Sequence, residues 1–158
     1  MNIFFLDQRP DVCAQAHFDK HVVKMCIEYA QLLSTAHHVL GSDQSSSALY
    51  KRCYENHPSA IWVRKSPEHY RWLYRLLKCL LDEYTYRYGK VHSTQRLLPL
   101  LEKLPWYKSN QTGWVDPPQC MPEVFQTDDT IQAYRAYYRL GKSRSMNNWR
   151  NRERPTWF

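Results

Sequence analysis

Four titratable side chains recur at regular intervals along one stretch of the chain. His17, His21, Lys24 and Glu28 are spaced at i, i+4, i+7 and i+11. Because an α-helix turns by about 100° per residue, all four project from one side of a helix. Imidazole, amine and carboxylate groups can act as general acid, general base and nucleophile. The pattern predicts the wall of an active site, and its alternative is a solvated helix face with one or two structural histidines.

A nucleophilic role for Lys24 would require its amine to be held away from water. Desolvation lowers the pKa of a lysine, and the neutral amine can then attack an electrophilic carbon. Glu28 lies one helical turn further along and favours the opposite state, a charged Lys24 in an i,i+4 ion pair. We favour the ion pair and keep the nucleophilic lysine as the alternative.

His17 and His21 also have the spacing of two metal ligands on one helix face. A third ligand would have to come from elsewhere in the chain, and no HExxH motif is present. A metal-dependent hydrolase of nucleotides or nucleic acid is therefore one alternative function. We expect neither a bound metal nor another cofactor. The candidates for a third ligand are His57, His69, Glu83 and His92.

The composition favours a nucleic-acid partner. The formal net charge is +7, and aromatic residues make up 15% of the chain. Basic side chains contact phosphates, and flat aromatic or guanidinium groups stack on bases. A solvated basic face is the alternative interpretation, and a non-enzymatic nucleic-acid-binding protein is a further alternative function. The expected nucleic-acid-binding residues are His57, Arg64, Arg71, Arg75, Arg87, His92, Arg144, Trp149, Arg150 and Arg152.

The elements that must position these residues are helical. Apolar residues at helical spacing predict long helices over about 11–40 and 67–88, each followed by a glycine. A short helix over 93–103 and a third major helix over about 128–140 follow. The proline-rich chain between these last two helices predicts an irregular connection.

The predicted fold class is therefore all-α, with one compact domain over residues 1–158. Three long helices, extended loops and a short apolar N-terminal segment (NIFFL, 2–6) make up this domain. The odd number of cysteines, without a CxxC pair, indicates reduced thiols and a cytoplasmic protein. No apolar run is long enough to span a membrane, and the first ten residues lack the pattern of a signal peptide.

Short segments throughout the chain resemble the pyrimidine-dimer DNA glycosylase family, which includes endonuclease V of phages and its bacterial relatives. Near the start, the similar segments are MNIFFL (1–6) and AQAHFDKHVVKMCIEY (14–29). Around the second helix they are NHP (56–58) and YRYGKVHST (86–94), and near the end MPEVF (121–125) and RPTWF (154–158). The resemblance implies a small, basic, single-domain DNA repair enzyme built on three helices.

The resemblance also implies a mechanism on double-stranded DNA that carries a damaged or modified base. In that family a free α-amine at the start of the mature chain attacks C1′ of the damaged nucleotide, and a first-helix glutamate assists. A Schiff base forms, and β-elimination then nicks the strand. The matching amine here belongs to Met1, because Asn2 hinders removal of the initiator methionine. An α-amine with a pKa of about 8 is uncharged near neutral pH more readily than an exposed lysine.

One position departs from the family pattern. Lys24 stands where the family's glutamate is expected, and Glu28 lies one turn further on. Either Glu28 substitutes for that glutamate, or Lys24 supplies the amine, or the reaction differs. The family interpretation predicts that Met1 lies near His21, Lys24 and Glu28 in space. The leading hypothesis is a DNA glycosylase with AP-lyase activity.

Overall fold

The computed structural model describes all 158 residues and contains helices but no β-strand, which confirms the all-α fold class. The α-helices are α1 (Pro10–Ala16), α2 (Asp19–Leu40), α3 (Pro58–Lys65), α4 (Pro67–Tyr88), α5 (Leu98–Leu101) and α6 (Thr130–Ala136). Three 3₁₀ turns cover Ser93–Leu97, Glu123–Phe125 and Arg144–Met146, and a π-helical turn covers Tyr137–Gly141.

The predicted first helix is two helices, because the chain becomes extended at His17 and Phe18. His17 has φ −65° and ψ 138°, so its N–H reaches only the carbonyl of Ala14. Such a break leaves carbonyl groups at the end of α1 without helical donors. The side chain of Arg87 donates to the carbonyls of Gln15 and His17, and the indole of Trp149 donates to the carbonyl of Ala16. Distant side chains therefore stabilise the break.

The second long helix, α4, lies where the sequence predicts it. Ser66 caps its first turn by accepting a hydrogen bond from the N–H of His69, and Pro67 occupies the first helical position. Gly89 ends it in the left-handed region at φ 68°, a conformation that glycine adopts without strain. Its leucines at 73, 76, 77, 80 and 81 are buried against α1, α2 and α3.

The third major helix is shorter than predicted. Asp129 caps α6 by accepting a hydrogen bond from the N–H of Gln132. The α-helix covers only Thr130–Ala136 and continues as the π-helical turn Tyr137–Gly141. Only α2 and α4 are therefore long helices, and the remaining helical residues form shorter elements around them.

The N-terminal segment is part of the core, although it forms no strand. Residues 3–6 are almost completely buried and belong to the same hydrophobic cluster as α2 and α4. All five cysteines are unpaired. None of the helices has both the length and the apolarity needed to cross a membrane.

Candidate active site

The N-terminal segment is fixed to α2 through Phe4. Its backbone N–H donates a hydrogen bond to the Tyr29 hydroxyl at 3.1 Å, and its carbonyl accepts one from the Cys13 thiol. The Phe4 ring stacks on the His21 imidazole, with 4.3 Å between centroids and 19° between planes. The segment that begins at Met1 therefore has a defined position against the predicted titratable column.

His17 is a buried structural residue with both ring nitrogens in use. Its Nδ1 lies 2.7 Å from the carbonyl oxygen of Cys13, so Nδ1 must carry the proton. Its Nε2 then accepts from the Tyr29 hydroxyl at 2.8 Å, while the Tyr29 oxygen accepts the Phe4 N–H. Burial lowers the pKa of His17 to about 4, so the imidazole is neutral near pH 7. Its role is to connect α1, α2 and the N-terminal segment.

His21 differs because one of its ring nitrogens remains available. Its Nδ1 lies 2.5 Å from the hydroxyl of Tyr138, whose pKa burial raises well above its ordinary value, so the phenol keeps its proton. Tyr138 therefore donates to Nδ1, and the proton of the neutral imidazole resides on Nε2. Burial lowers the pKa of His21 to about 2, with smaller contributions from His17 and two lysines. His21 can thus offer one N–H donor without carrying a charge.

Lys24 and Glu28 form the ion pair that the spacing favours. The Lys24 Nζ atom lies 3.2 Å from Glu28 Oε1. The lysine side chain is 68% exposed, whereas the carboxylate is only 17% exposed. An amine that is held by a carboxylate and open to water is not the desolvated amine that a lysine nucleophile requires. This geometry argues against Lys24 as a neutral nucleophile. Glu28 remains as the one carboxylate of the column, and its side chain is mostly buried.

Met1 lies at the start of α3. Its carbonyl accepts a hydrogen bond from the Ser59 hydroxyl at 3.3 Å. Burial, and then the positive charge of the N-terminus, lower the pKa of His57. Phe4, three residues after Met1, is the residue of the N-terminal segment that contacts His21. Three residues span at most about 10 Å, so the amine still lies within that distance of Phe4.

A cluster of cations surrounds this part of α2. Lys142 Nζ lies 5.2 Å from the centre of the Phe4 ring, and it also contributes to the lowered pKa of His21. The C-terminal tail is held nearby, because Asn148 accepts the backbone N–H of Asp19. We define the basic rim as the cations that α2 and this tail contribute here: Lys20, Lys24, Lys142, Arg144 and Arg150.

The expected nucleic-acid-binding residues divide into two groups. Arg71, Arg75, Arg144 and Arg150 are exposed. His57 caps α3 by accepting the N–H of Ser59, and Arg64 donates to the carbonyl of Glu55; both side chains are partly exposed. These residues have surface for a ligand, and their role in binding nucleic acid stays a prediction.

The other group is occupied within the protein. Trp149 is buried against Phe18 and Phe158, which also packs the terminal RPTWF segment onto the core. His92 is 7% exposed; its Nδ1 accepts the N–H of Thr94, and its Nε2 donates to the carbonyl of Val23. Neither ring presents a free face to a base.

Arg87 and Arg152 belong to a buried ionic cluster. We call it the Arg87 network: Asp19, Glu83, Arg87 and Arg152. Arg87 is 1% exposed and donates to Glu83 and Asp19 at 2.8 and 2.9 Å, besides the two carbonyls at the end of α1. Burial acts to raise the pKa of Glu83, but hydrogen bonds from Arg152 and Arg87 outweigh it and the pKa is lowered. A contact between Arg87 and DNA would require breaking this network. The prediction that Arg87 binds nucleic acid is therefore wrong, and its role is structural.

The two histidines of the column do not form a metal site. Both nitrogens of His17 are already bonded, and the ring centres of His17 and His21 are 6.5 Å apart. No group of three His, Cys, Asp or Glu side chains has a metal-binding arrangement. The donor chemistry therefore does not support the metal-dependent hydrolase.

The main cavities lie away from the column. One cavity of about 640 Å³ lies between α1 and the C-terminal tail, lined by residues such as Gln15, Arg135 and Trp157. Three others adjoin α3, the end of α2 and the start of α6. None of these four is lined by His21, Lys24 or Glu28. Of the four residues in the predicted column, the two histidines are buried, whereas the Lys24–Glu28 ion pair reaches the surface.

Residues that sequence spacing could not identify complete the site. Tyr138 orients His21 from 117 residues away, and Lys142 lies over Phe4 from the far end of the chain. Tyr29, one residue after Glu28 on α2, joins His17 to the backbone of Phe4. The sequence signal that could have pointed to these residues is the high density of basic and aromatic residues after residue 130.

The model of a known protein family matches this chain. The family is described as pyrimidine dimer DNA glycosylase, and the match covers residues 1–96, more than half of the chain. The chain belongs to this family. No curated relative and no solved structure matches it at a significant level.

Membership of this family identifies residues 1–96 as the part of the chain that resembles a DNA repair glycosylase. The matched region includes the N-terminal segment, the break between α1 and α2, the titratable column and α4. Tyr138, Lys142 and the C-terminal tail lie outside the match but pack directly on it.

Proposed function

We propose that the protein is a DNA glycosylase with AP-lyase activity that uses the α-amine of Met1 as its nucleophile. Its substrate is double-stranded DNA with a damaged or modified base. The observation that carries the proposal is the buried N-terminal segment, which keeps the amine within about 10 Å of the backbone of Phe4, the residue that stacks on His21. The proposal requires that Met1 begins the mature chain with a free amine.

The reaction has two chemical stages. The neutral amine attacks C1′, the glycosidic C–N bond breaks, and the base leaves with its bonding electrons and takes up a proton. The amine loses its proton, the sugar ring opens, and a protonated imine joins Met1 to the sugar. Loss of a proton from C2′ then expels the 3′ phosphate, and water finally releases the enzyme. Each of these bond changes is accompanied by a proton transfer near one amine, which is why the acids and bases around it matter.

Glu28 is the candidate for the acid–base steps of this reaction. Its carboxylate is mostly sheltered, and its one recorded partner is Lys24 on the neighbouring turn. A carboxylate beside a protonated amine stabilises the cationic imine and can accept the C2′ proton. Lys24 holds the carboxylate in the ion pair and contributes positive charge toward the phosphates.

His21 has a separate role as a neutral donor. Tyr138 holds its Nδ1, so Nε2–H is the group that remains for a substrate oxygen. A neutral donor can stabilise negative charge that develops on a leaving group without repelling the cationic imine. His57 lies two residues before Ser59, whose hydroxyl contacts the Met1 carbonyl, so its imidazole is a candidate to accept the proton that the amine loses before it attacks.

DNA binding is assigned to the exposed cations. The basic rim surrounds the column, and Arg71 and Arg75 extend the positive surface along α4. Contacts to phosphates orient the duplex and make the affinity strongly salt-dependent. The five unpaired thiols support action in a reducing compartment, which agrees with a cytoplasmic location.

Borohydride trapping tests the proposal. Wild-type protein is incubated with duplexes that carry a thymine dimer or an abasic site, in the presence of borohydride, which reduces an imine to a stable amine. We expect a covalent protein–DNA adduct and, without borohydride, a nicked strand. Tight binding with neither adduct nor nick would contradict the amine mechanism and favour a non-enzymatic DNA-binding protein. The intact mass of the same preparation shows whether Met1 is present and unblocked.

A further inference from the structure

The two most exposed large apolar side chains of the molecule lie on turns that pack against each other. Val124 is 82% exposed on the 3₁₀ turn Glu123–Phe125, and Leu140 is 74% exposed on the π-helical turn Tyr137–Gly141. The two turns contact each other through Phe125 and Tyr137, whose ring centres are 5.4 Å apart. Single exposed apolar residues are ordinary, but two on one pair of packed turns indicate a surface that meets a partner. We call these two turns the projection.

The π-helical turn gives Leu140 a fixed relation to the candidate active site. Two residues earlier, Tyr138 is completely buried and holds His21. Two residues later, Lys142 lies over the Phe4 ring that stacks on the same imidazole. A π-helical turn changes the register of a helix, and such turns are frequent at functional sites. Here the register directs Tyr138 inward and leaves Leu140 in solvent.

Gly141 makes the close packing of this projection possible. A Cβ atom at this position would lie 2.2 Å from the Tyr137 ring and 2.9 Å from the Phe125 ring. Any side chain there would force the two aromatic rings apart. Glycine at this position thus allows the π-helical turn and the 3₁₀ turn to pack closely next to Leu140.

The charges around Leu140 indicate which partner it meets. Arg139, Lys142 and Arg144 flank it along the chain, and Glu123 is the acidic neighbour on the adjoining turn. Apolar side chains that enter DNA from the minor groove separate stacked bases and bend the duplex, while nearby cations hold the phosphates. An apolar tip among cations fits a nucleic acid better than an apolar protein surface.

We propose that Leu140, supported by Val124, is a wedge that enters the DNA base stack beside the damaged nucleotide. The inference rests on the proposed function and deepens it, because it names the residue that exposes C1′ to the amine. A nucleotide within a stacked duplex is not accessible to a catalytic group, so it must be unstacked before the reaction. Leu140 fills the space that the displaced nucleotide leaves and thereby stabilises the opened duplex.

The test measures unstacking separately from chemistry. The probe is a duplex with one thymine dimer and 2-aminopurine beside it, whose fluorescence rises when neighbouring bases unstack. Wild-type protein is expected to raise this fluorescence several-fold on binding. Leu140→Ala is expected to lose most of the rise while binding an undamaged duplex within about twofold of wild type, because its phosphate contacts remain. Leu140→Met keeps a long apolar side chain and is expected to retain the rise.

A matched control removes a similar apolar group far from the site. Val39 is an exposed residue near the end of α2, about 27 Å along the helix from His21. Val39→Ala is expected to behave as wild type, and thermal unfolding shows that every variant is folded. A fluorescence rise that Leu140→Ala retains in full would overturn the wedge. A wild-type dimer that Leu140→Ala converts to monomer would also overturn it, since a second copy would then cover the projection.

The wedge and the proposed function fail differently. An abasic duplex is already unstacked at the reacting nucleotide, so Leu140→Ala should nick it within about threefold of wild type. The same variant should excise a dimer at least tenfold more slowly. A wild-type protein that unstacks the probe but neither excises nor nicks would contradict the chemistry while supporting the wedge. Equal losses on both substrates would show a general defect and overturn the specific role of Leu140.

Discussion

The Arg87 network and the surroundings of His21 are both built from titratable side chains at the beginning of α2, yet they differ in what they leave unused. Arg87 is completely enclosed, and its donors meet two carboxylates and two carbonyls. His21 is nearly as buried, but Tyr138 uses only one of its nitrogens. Spacing alone cannot separate these two cases. His21 therefore keeps hydrogen-bonding capacity for a role outside the fold, and Arg87 does not.

Removal of Arg87 is expected to have the largest effect and to act on stability. Arg87→Met leaves Asp19 and Glu83 without their main partner and two carbonyls without donors. Loss of one partner of a buried ion pair costs about 3–5 kcal/mol. Urea unfolding should show a decrease of this size in the free energy of unfolding. Arg75→Met, an exposed change on the same helix, should stay within about 0.5 kcal/mol. Equal stability of the two variants would remove the distinction between network and surface.

Glu28→Gln should act on the reaction and leave the fold intact. The amide keeps the shape of the side chain but cannot accept a proton. We expect strand nicking of abasic DNA to fall by about 100-fold, the usual contribution of a positioned acid–base group. Glu102→Gln, an exposed change on a distant turn, is the matched control. Nicking by Glu28→Gln within threefold of wild type would exclude Glu28 from the mechanism.

The buried imidazoles predict a loss of stability in acid. The folded protein holds His17 with a pKa of about 4, below the ordinary value of 6.5, so the unfolded chain binds the proton first as the pH falls. Stability is therefore unaffected above about pH 6.5 and decreases progressively toward pH 4. At pH 5, His17 alone accounts for about 2 kcal/mol. Unfolding curves at pH 7 and 5 measure this loss, and equal curves would contradict the neutral, buried imidazole.

Tyr138→Phe should have the smallest effect and the most specific one. Loss of one neutral hydrogen bond costs about 1 kcal/mol of stability. Without the Tyr138 hydroxyl, the His21 proton is no longer confined to Nε2, and ¹⁵N NMR should show a changed tautomer together with a severalfold slower reaction. Tyr137→Phe, on the adjacent residue, is the control. An unchanged tautomer in Tyr138→Phe would remove the reason for treating His21 as an oriented donor.

Local signals in the sequence were sufficient for some elements. The Ser66–Pro67 start and the Gly89 end of α4 depend on residues within the helix or next to it, so the sequence predicts that helix correctly. The Lys24–Glu28 ion pair is equally local. These features need no information from the rest of the fold.

Other elements depend on residues that are distant in sequence. The break at His17 is stabilised by Arg87 and Trp149, which lie 70 and 133 residues from the carbonyls they contact. The orientation of His21 likewise depends on Tyr138. Periodicity along 11–40 therefore predicted one helix where tertiary hydrogen bonds stabilise two. For the same reason, the sequence predicts Arg87 as a surface cation, because most of its hydrogen-bond partners lie far from it in the chain.

Mass-spectrometric mapping of the borohydride-trapped adduct tests the central claim most directly. The trapped complex with abasic DNA is digested by protease and nuclease, and the modified peptide is sequenced. We predict that the sugar remnant is attached to the α-amine of Met1. Attachment to Lys24, or to any other lysine, would contradict the assignment of the nucleophile to the buried N-terminal segment.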